Sequence, residues 1–195
     1  MGAIMGQSES ARSRGPPILM RESRPIMPAE TGHMRAELGT VIDAVVKELE
    51  ASDAFENVGI ADEGKPDHVL LIAVAKDTPE PVFYRLEVVD GLLAVSWCSP
   101  DRYISQSIET DVLWTGDDLD DLIDEELVDL GWNRGRLKPL KHFRNDEMLF
   151  VFISQTPIKA GEATEADAAD LAKAVLAYEI AFRELGDMAG DEDDD

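Results

Sequence analysis

The stretch "DDLDDLIDEELVDL", residues 117–130, places eight carboxylates in fourteen positions. Within it Asp117, Asp118 and Asp121 form DDxxD, a spacing able to hold Mg²⁺ against a diphosphate. A small metal-dependent enzyme centred on those three carboxylates is therefore one reading of the chain. That chemistry asks for more than spacing. Isoprenoid synthases that use DDxxD face two such clusters across a large all-helical cavity, and here one cluster stands among strand-forming segments. An EF-hand loop fails as well, because the third and sixth positions from Asp117 are Leu119 and Leu122, where an oxygen ligand and a glycine are needed.

Periodicity gives the stretch a different explanation. On a helical wheel Leu119, Leu122, Ile123, Leu127 and Leu130 share one side, and Asp117, Asp118, Asp120, Asp121, Asp124, Glu125 and Asp129 share the other. Thr115 is placed to cap with Asp118, and each acid of the first turn gains roughly 0.3–1 kcal/mol from the helix dipole. The like-charge pairs four residues apart cost about 1–2 kcal/mol together, which core packing offsets. An amphipathic helix accounts for the acids, and no metal is demanded. Glu126 is the exception, since it falls inside the apolar stripe. It either reaches out to water or pairs with a cation.

Two further groups invite chemistry. "WNRGRLKPLKHFR" (132–144) gathers Arg134, Arg136, Lys138, Lys141 and Arg144 directly after the acidic helix. No P-loop or RNA-binding signature accompanies it, so neutralisation of the neighbouring acids is the simpler role. Cys98, with His33, His68 and His142 elsewhere, offers a nucleophile and bases but no nucleophile-elbow or cysteine-protease context. Spacing assigns no catalytic, cofactor-binding or metal-ligating residue.

Composition narrows the partners. The 195 residues, 44% hydrophobic, suit one domain with tails, and the formal charge of −23 argues against nucleic acid or an anionic membrane. A single cysteine forbids an internal disulfide and fits a reducing cytoplasm. No apolar run approaches the roughly 20 residues that span a bilayer. Residues 1–31 read as a disordered, mildly basic leader, 32–186 as a single α+β domain, and 187–195 as a disordered acidic tail.

Along the domain, Leu38, Val41, Ile42, Val45 and Leu49 predict a helix over 32–52. "HVLLIAVAK" (68–76) has the unbroken apolarity of a strand buried on both faces. Asp90-Gly91 supplies the positive φ values of a tight turn, so 82–89 and 92–98 form a hairpin. Ile104, Ile108, Val112 and Trp114 alternate across 103–114 and predict a half-exposed strand. "LKPLKHF-RND-EMLFVFIS" is another hairpin, with a central strand at 147–154. Thr164 and Asp167 cap a last helix over 165–186, where Leu171, Val175, Tyr178, Phe182 and Leu185 form one stripe and Gly186 is the stop. The order is α-β-β-β-(β)-α-β-β-α, an antiparallel sheet with flanking helices.

That order, the hairpin "LKPLKHFRNDEMLFVFISQTPI" and the closing helix "TEADAADLAKAVLAYEIAFRELG" resemble the type III secretion chaperone-like fold and the YbjN-like putative bacterial sensory-transduction regulators. The extra strand at 103–114 and the basic leader depart from the family pattern. The resemblance implies a cytosolic homodimer without catalytic residues that binds a protein segment through apolar patches or a sheet edge. In secretion chaperones the helix between the strand groups helps form the dimer. Here that places Trp114, Leu119, Leu122, Ile123, Glu126, Leu127 and Trp132 as candidate contact residues.

Overall fold

The computed structural model describes residues 36–61, 66, 68–78, 80–115 and 118–187, with backbone alone over 111–115 and 186–187. The leader and the acidic tail lie outside the described residues. The chain is α+β, with one six-stranded antiparallel sheet in the order β1-β2-β3-β4-β6-β5. Its elements are α1 (Gly39–Ser52), β1 (Phe55–Ile60), β2 (Val69–Ala75), β3 (Phe83–Val89) and β4 (Leu92–Ser99), then α2 (Arg102–Thr115), α3 (Leu119–Asp129), β5 (Lys141–Arg144), β6 (Phe150–Lys159) and α4 (Ala168–Asp187).

The hairpin expected at Asp90-Gly91 is present. Asp90 (φ 51°) and Gly91 (φ 77°) are both left-handed, and β3 pairs with β4 in register from Phe83↔Cys98 to Val89↔Leu92. β2 is buried along nearly its whole length, as its apolar run requires. β6 lies between β4 and β5 and is almost entirely buried. At the start of α4, the Thr164 N–H and hydroxyl donate to Asp167 Oδ2 at 2.8 and 2.9 Å. The stripe Leu171, Val175, Tyr178, Phe182 and Leu185 is buried throughout, and the helix runs one residue beyond Gly186.

Two expectations are corrected. Residues 103–114 form a helix, not a strand. The even spacing of Ile104, Ile108 and Val112 satisfies a period of two, but steps of four also keep a single helical face. Asp101 decides between them: its Oδ1 accepts from the N–H groups of Tyr103 (2.6 Å) and Ile104 (3.4 Å), capping α2. The second correction is β1, which the sequence pattern does not reveal. A bulge between Phe55 and Asn57 breaks alternation, so Phe55 and Val58 both reach the core although three positions apart.

All four helices described pack on one face of the sheet, where Tyr84, Leu86, Leu93, Val95, Trp97 and Phe152 join the main core. Trp97 stacks on Phe182 of α4 (5.3 Å, 13°), and Phe152 meets the same ring edge-on (5.4 Å, 62°). Each such pair contributes about 0.5–1.5 kcal/mol beyond its burial. Among the described residues no helix covers the opposite face. There the β5–β6 turn folds back, setting Leu149 against Ala94, Cys98, Val151 and Ile153. Arg85 Nη1 on that face donates to Glu147 Oε2 of the same turn at 2.6 Å.

The cap on α2 gives the correction a test. Asp101→Ala should lower folding stability by about 1 kcal/mol in urea melts, and Asp101→Asn should retain most of it. Equal stability of all three proteins would contradict the cap.

Candidate functional site

The acidic helix and the basic segment that follows it form one electrostatic unit. Asp118 is the N-cap of α3, its Oδ1 accepting from Asp120 N–H at 3.1 Å. Thr115, expected to cap here, is instead the last residue of α2, so the cap falls to Asp118. Asp120 Oδ1 accepts from the Leu140 N–H (2.9 Å), tying α3 to the approach of β5. Arg136 reaches both Asp121 (2.9 Å) and Asp124 (2.5 Å). Burial pushes the Asp120 and Asp124 carboxyls up, while the Leu140 N–H and the Arg136 guanidinium pull them back. Arg134 turns to the other side and bridges Asp167 and Asp170 at the start of α4, both at 2.7 Å. Those partners hold the two carboxyls below the usual range; for Asp167 the Thr164 N–H is the largest contributor, and for Asp170 Arg134 and Lys173 outweigh burial.

The segment 134–140 is therefore a strap that latches α3 and α4 together. Neutralisation of the acidic helix, expected of the whole basic segment, is what Arg136 does; Arg134 serves the acids of α4 instead, and Lys138 Nζ donates to Gln155 Oε1 at 2.8 Å. Of the three DDxxD carboxylates, Asp118 caps a helix, Asp121 pairs with Arg136, and Asp117 lies outside the described residues. Among the described residues, no group of three or more His, Cys, Asp or Glu is arranged to hold a metal ion.

The candidate contact residues do not make a surface. Leu119, Ile123, Leu127 and Trp132 are buried in the chain's own core, so they are corrected from partner contacts to packing residues. The physical reason is α4, which packs against α3 along its buried positions. Trp132 Nε1 also donates inward, to Gly135 O at 2.5 Å. Leu122 is half-buried against the same core. The side chain of Trp114 lies outside the described residues.

Glu126 is half-buried, and among the described residues no cation pairs with it. Burial, then the charge of Glu184 on α4, raises its carboxyl above the ordinary value. The raised folded value means that the ionised form destabilises the fold. The destabilisation is absent below the unfolded value near 4.3 and sets in as pH rises through the folded one.

Cys98 is inert as a nucleophile. It is fully buried on the second sheet face, and burial pushes its thiol up to about 12. His68 lies 3.6 Å from Glu87, whose other oxygen accepts from Ser96 Oγ, while His142 sits across the sheet, stacked on Phe152. His33 lies outside the described residues.

One feature has no signal in the sequence. A cavity of about 310 Å³ opens between the C-terminal half of α4, the early turns of α2 and the β2–β3 connection. Its walls include Tyr84, Trp97 and Phe182 with the ion pair Glu179–Arg183. These residues come from three separate elements, and on α4 the pair looks like an ordinary exposed couple four residues apart.

Glu126→Gln should raise stability by about 0.2–0.5 kcal/mol at neutral pH, the size of one relieved like-charge pair. Chemical denaturation at several pH values should show the gain fading towards pH 4. A loss at neutral pH would mean that the carboxylate does have a cationic partner.

Comparison of the chain with protein-family models, with curated proteins and with solved structures returns no match in any of the three.

Proposed function

We propose that this chain is a non-enzymatic, cytoplasmic protein-binding module, chaperone-like or regulatory in the manner of the secretion-chaperone and YbjN-like families, acting as a homodimer through the edges of its sheet. The observation that carries the reading is the contrast between the two edge strands. Each offers backbone N–H and C=O groups to an added strand, but their side chains suit different guests.

β5 (Lys-His-Phe-Arg) is exposed at every position, with Phe143 45% exposed. Antiparallel pairing of β5 with itself about its centre would set Lys141 against Arg144 of a second copy, a like-charge contact that weakens a sheet. β1 (Phe-Glu-Asn-Val-Gly-Ile) paired the same way sets Phe55 against Ile60 and Glu56 against Gly59. No like charges meet, and the 50% exposed Ile60 gains an apolar neighbour. Self-association thus belongs to β1 and a foreign segment, extended and acidic, to β5.

The β5–β6 turn adds an apolar tip beside that edge. Met148 is 57% exposed and held at φ 65°, a left-handed conformation that costs a non-glycine residue about 1 kcal/mol. Glycine would relieve that strain. What methionine adds is therefore its side chain, a flexible apolar contact at the end of the binding edge. No helix among the described residues is long and apolar enough to cross a membrane, which accords with a module that meets its partner in solution.

Light scattering coupled to size exclusion should give twice the chain's 21.4 kDa for the wild type. Ile60→Lys should give a monomer with its thermal midpoint little changed. A monomeric wild type, or a dimer indifferent to Ile60→Lys, would contradict the β1 interface. In affinity capture from native lysate, Phe143→Asp should lose the partner that the wild type retains. Retention by both would contradict the β5 edge.

A further inference from the structure

The cavity beneath α2 is distinct from both sheet edges, and its wall is chemically particular. Its volume of about 310 Å³ stands at the lower end of small-molecule sites. It is roughly twice the size of a ~150 Å³ apolar cavity that takes up benzene. A molecule of one or two rings fits it. Trp97, Tyr84 and Phe182 line it, together with Ile104 and Ile108 of α2. The four charged residues on the wall are two of each sign: Lys76 and Asp77 at the β2–β3 connection, Glu179 and Arg183 on α4.

Two polar groups in this wall have capacity to spare. The Glu179 side chain is only 5% exposed, and the two contacts it receives from Arg183 both fall on one oxygen, Oε1. Among the described residues, no hydrogen bond ends on Oε2. Tyr84 is 3% exposed, and its hydroxyl likewise has no hydrogen bond to a described residue. Neither atom is sealed inside the protein without a partner, unlike Arg85 Nε, Ser154 Oγ and Tyr178 Oη, and both residues line the cavity. A carboxylate oxygen in an open recess lined by aromatic residues accepts hydrogen bonds and cannot donate them. It calls for an N–H or O–H donor on the ligand. A full positive charge on that ligand is not favoured, because Arg183 already neutralises Glu179 and would repel a second cation.

We propose that this cavity is a binding site for a neutral, ring-bearing small molecule that donates one N–H or O–H hydrogen bond to Glu179 and packs its ring against Trp97, Tyr84 and Phe182. The site is separate from the strand-binding edges, so a ligand and a strand partner would occupy the chain at different places. The Tyr84 hydroxyl, kept protonated by burial, serves as a second anchor beside the carboxylate.

The test uses the full-length chain, indole as the probe and indene as its match in shape without the N–H donor. Amide chemical shifts in ¹⁵N-labelled protein should move saturably with indole at α2, the C-terminal half of α4 and residues 75–84. Indole should bind at least tenfold more tightly than indene, since a hydrogen bond to a charged acceptor contributes about that much. Ser107→Phe, a half-buried position on the cavity wall, should abolish binding. No saturable shift with indole would overturn the proposal, as would equal affinity for indene or shifts centred elsewhere. If Ser107→Phe is destabilised by more than a few degrees, the indole-to-indene ratio in the wild type decides the matter.

Discussion

The structure depends on the seating of α4 across the centre of the sheet. Leu171, Val175, Tyr178, Phe182 and Leu185 have almost no exposure, and Phe182 is held between Trp97 of β4 and Phe152 of β6. Ala172, Ala174, Ala177 and Ala181 between them are buried too, and such short side chains let α1 and α3 approach closely. α1, α2 and α3 each touch α4, so the helical layer is organised around one rod. Loss of Phe182 or Trp97 to alanine would remove about 3–5 kcal/mol, a large share of the 5–15 kcal/mol that holds a domain together. Both the cavity and the latch between α3 and α4 are consequences of where this rod lies.

Charge is distributed to serve that arrangement. A chain with net charge −23 repels itself, and cations around α3 and α4 lie against the carboxylates there. Arg134 and Lys173 hold Asp170, Arg136 holds Asp121 and Asp124, and Arg183 holds Glu179. Lys141 and Arg144 are left to mark the β5 edge, where Arg144 lies over the Phe150 ring. Exposed pairs contribute little individually, about 0–1 kcal/mol, but Asp120 is half-buried and Glu179 buried, and both fix geometry. Asp120 fixes where the strap meets α3, and Glu179 fixes one wall of the cavity.

What the sequence discloses and what it hides follow from how local each signal is. Asp90-Gly91, the Thr164–Asp167 pair and the stripe of α4 are each set by a few neighbouring residues, and all appear as read. The helix at 103–114 is hidden because its apolar residues recur every fourth position, a spacing shared by a strand face and a helix face, and the capping role of Asp101 settles it. β1 is hidden by its bulge. The contact surface read onto α3 is misplaced because amphipathicity shows that a face is covered but not by what, and α4 of the same chain covers it. The cavity is not legible at all, since it is made by elements far apart in the chain. The charge contrast between 117–130 and 132–144 is the part of the candidate site most directly visible, and the strap is its physical form.

The central claim is that the carboxylates of α3 are engaged in capping and latching, Asp118 at the helix N-terminus and Asp121 and Asp124 on Arg136. Calorimetric titration of the full chain with Mg²⁺ and then Ca²⁺ tests it most directly. The account predicts weak, non-saturating heats that are the same in Asp118→Ala and wild type. Saturable binding at micromolar concentration, lost in Asp118→Ala while the fold persists, would contradict it.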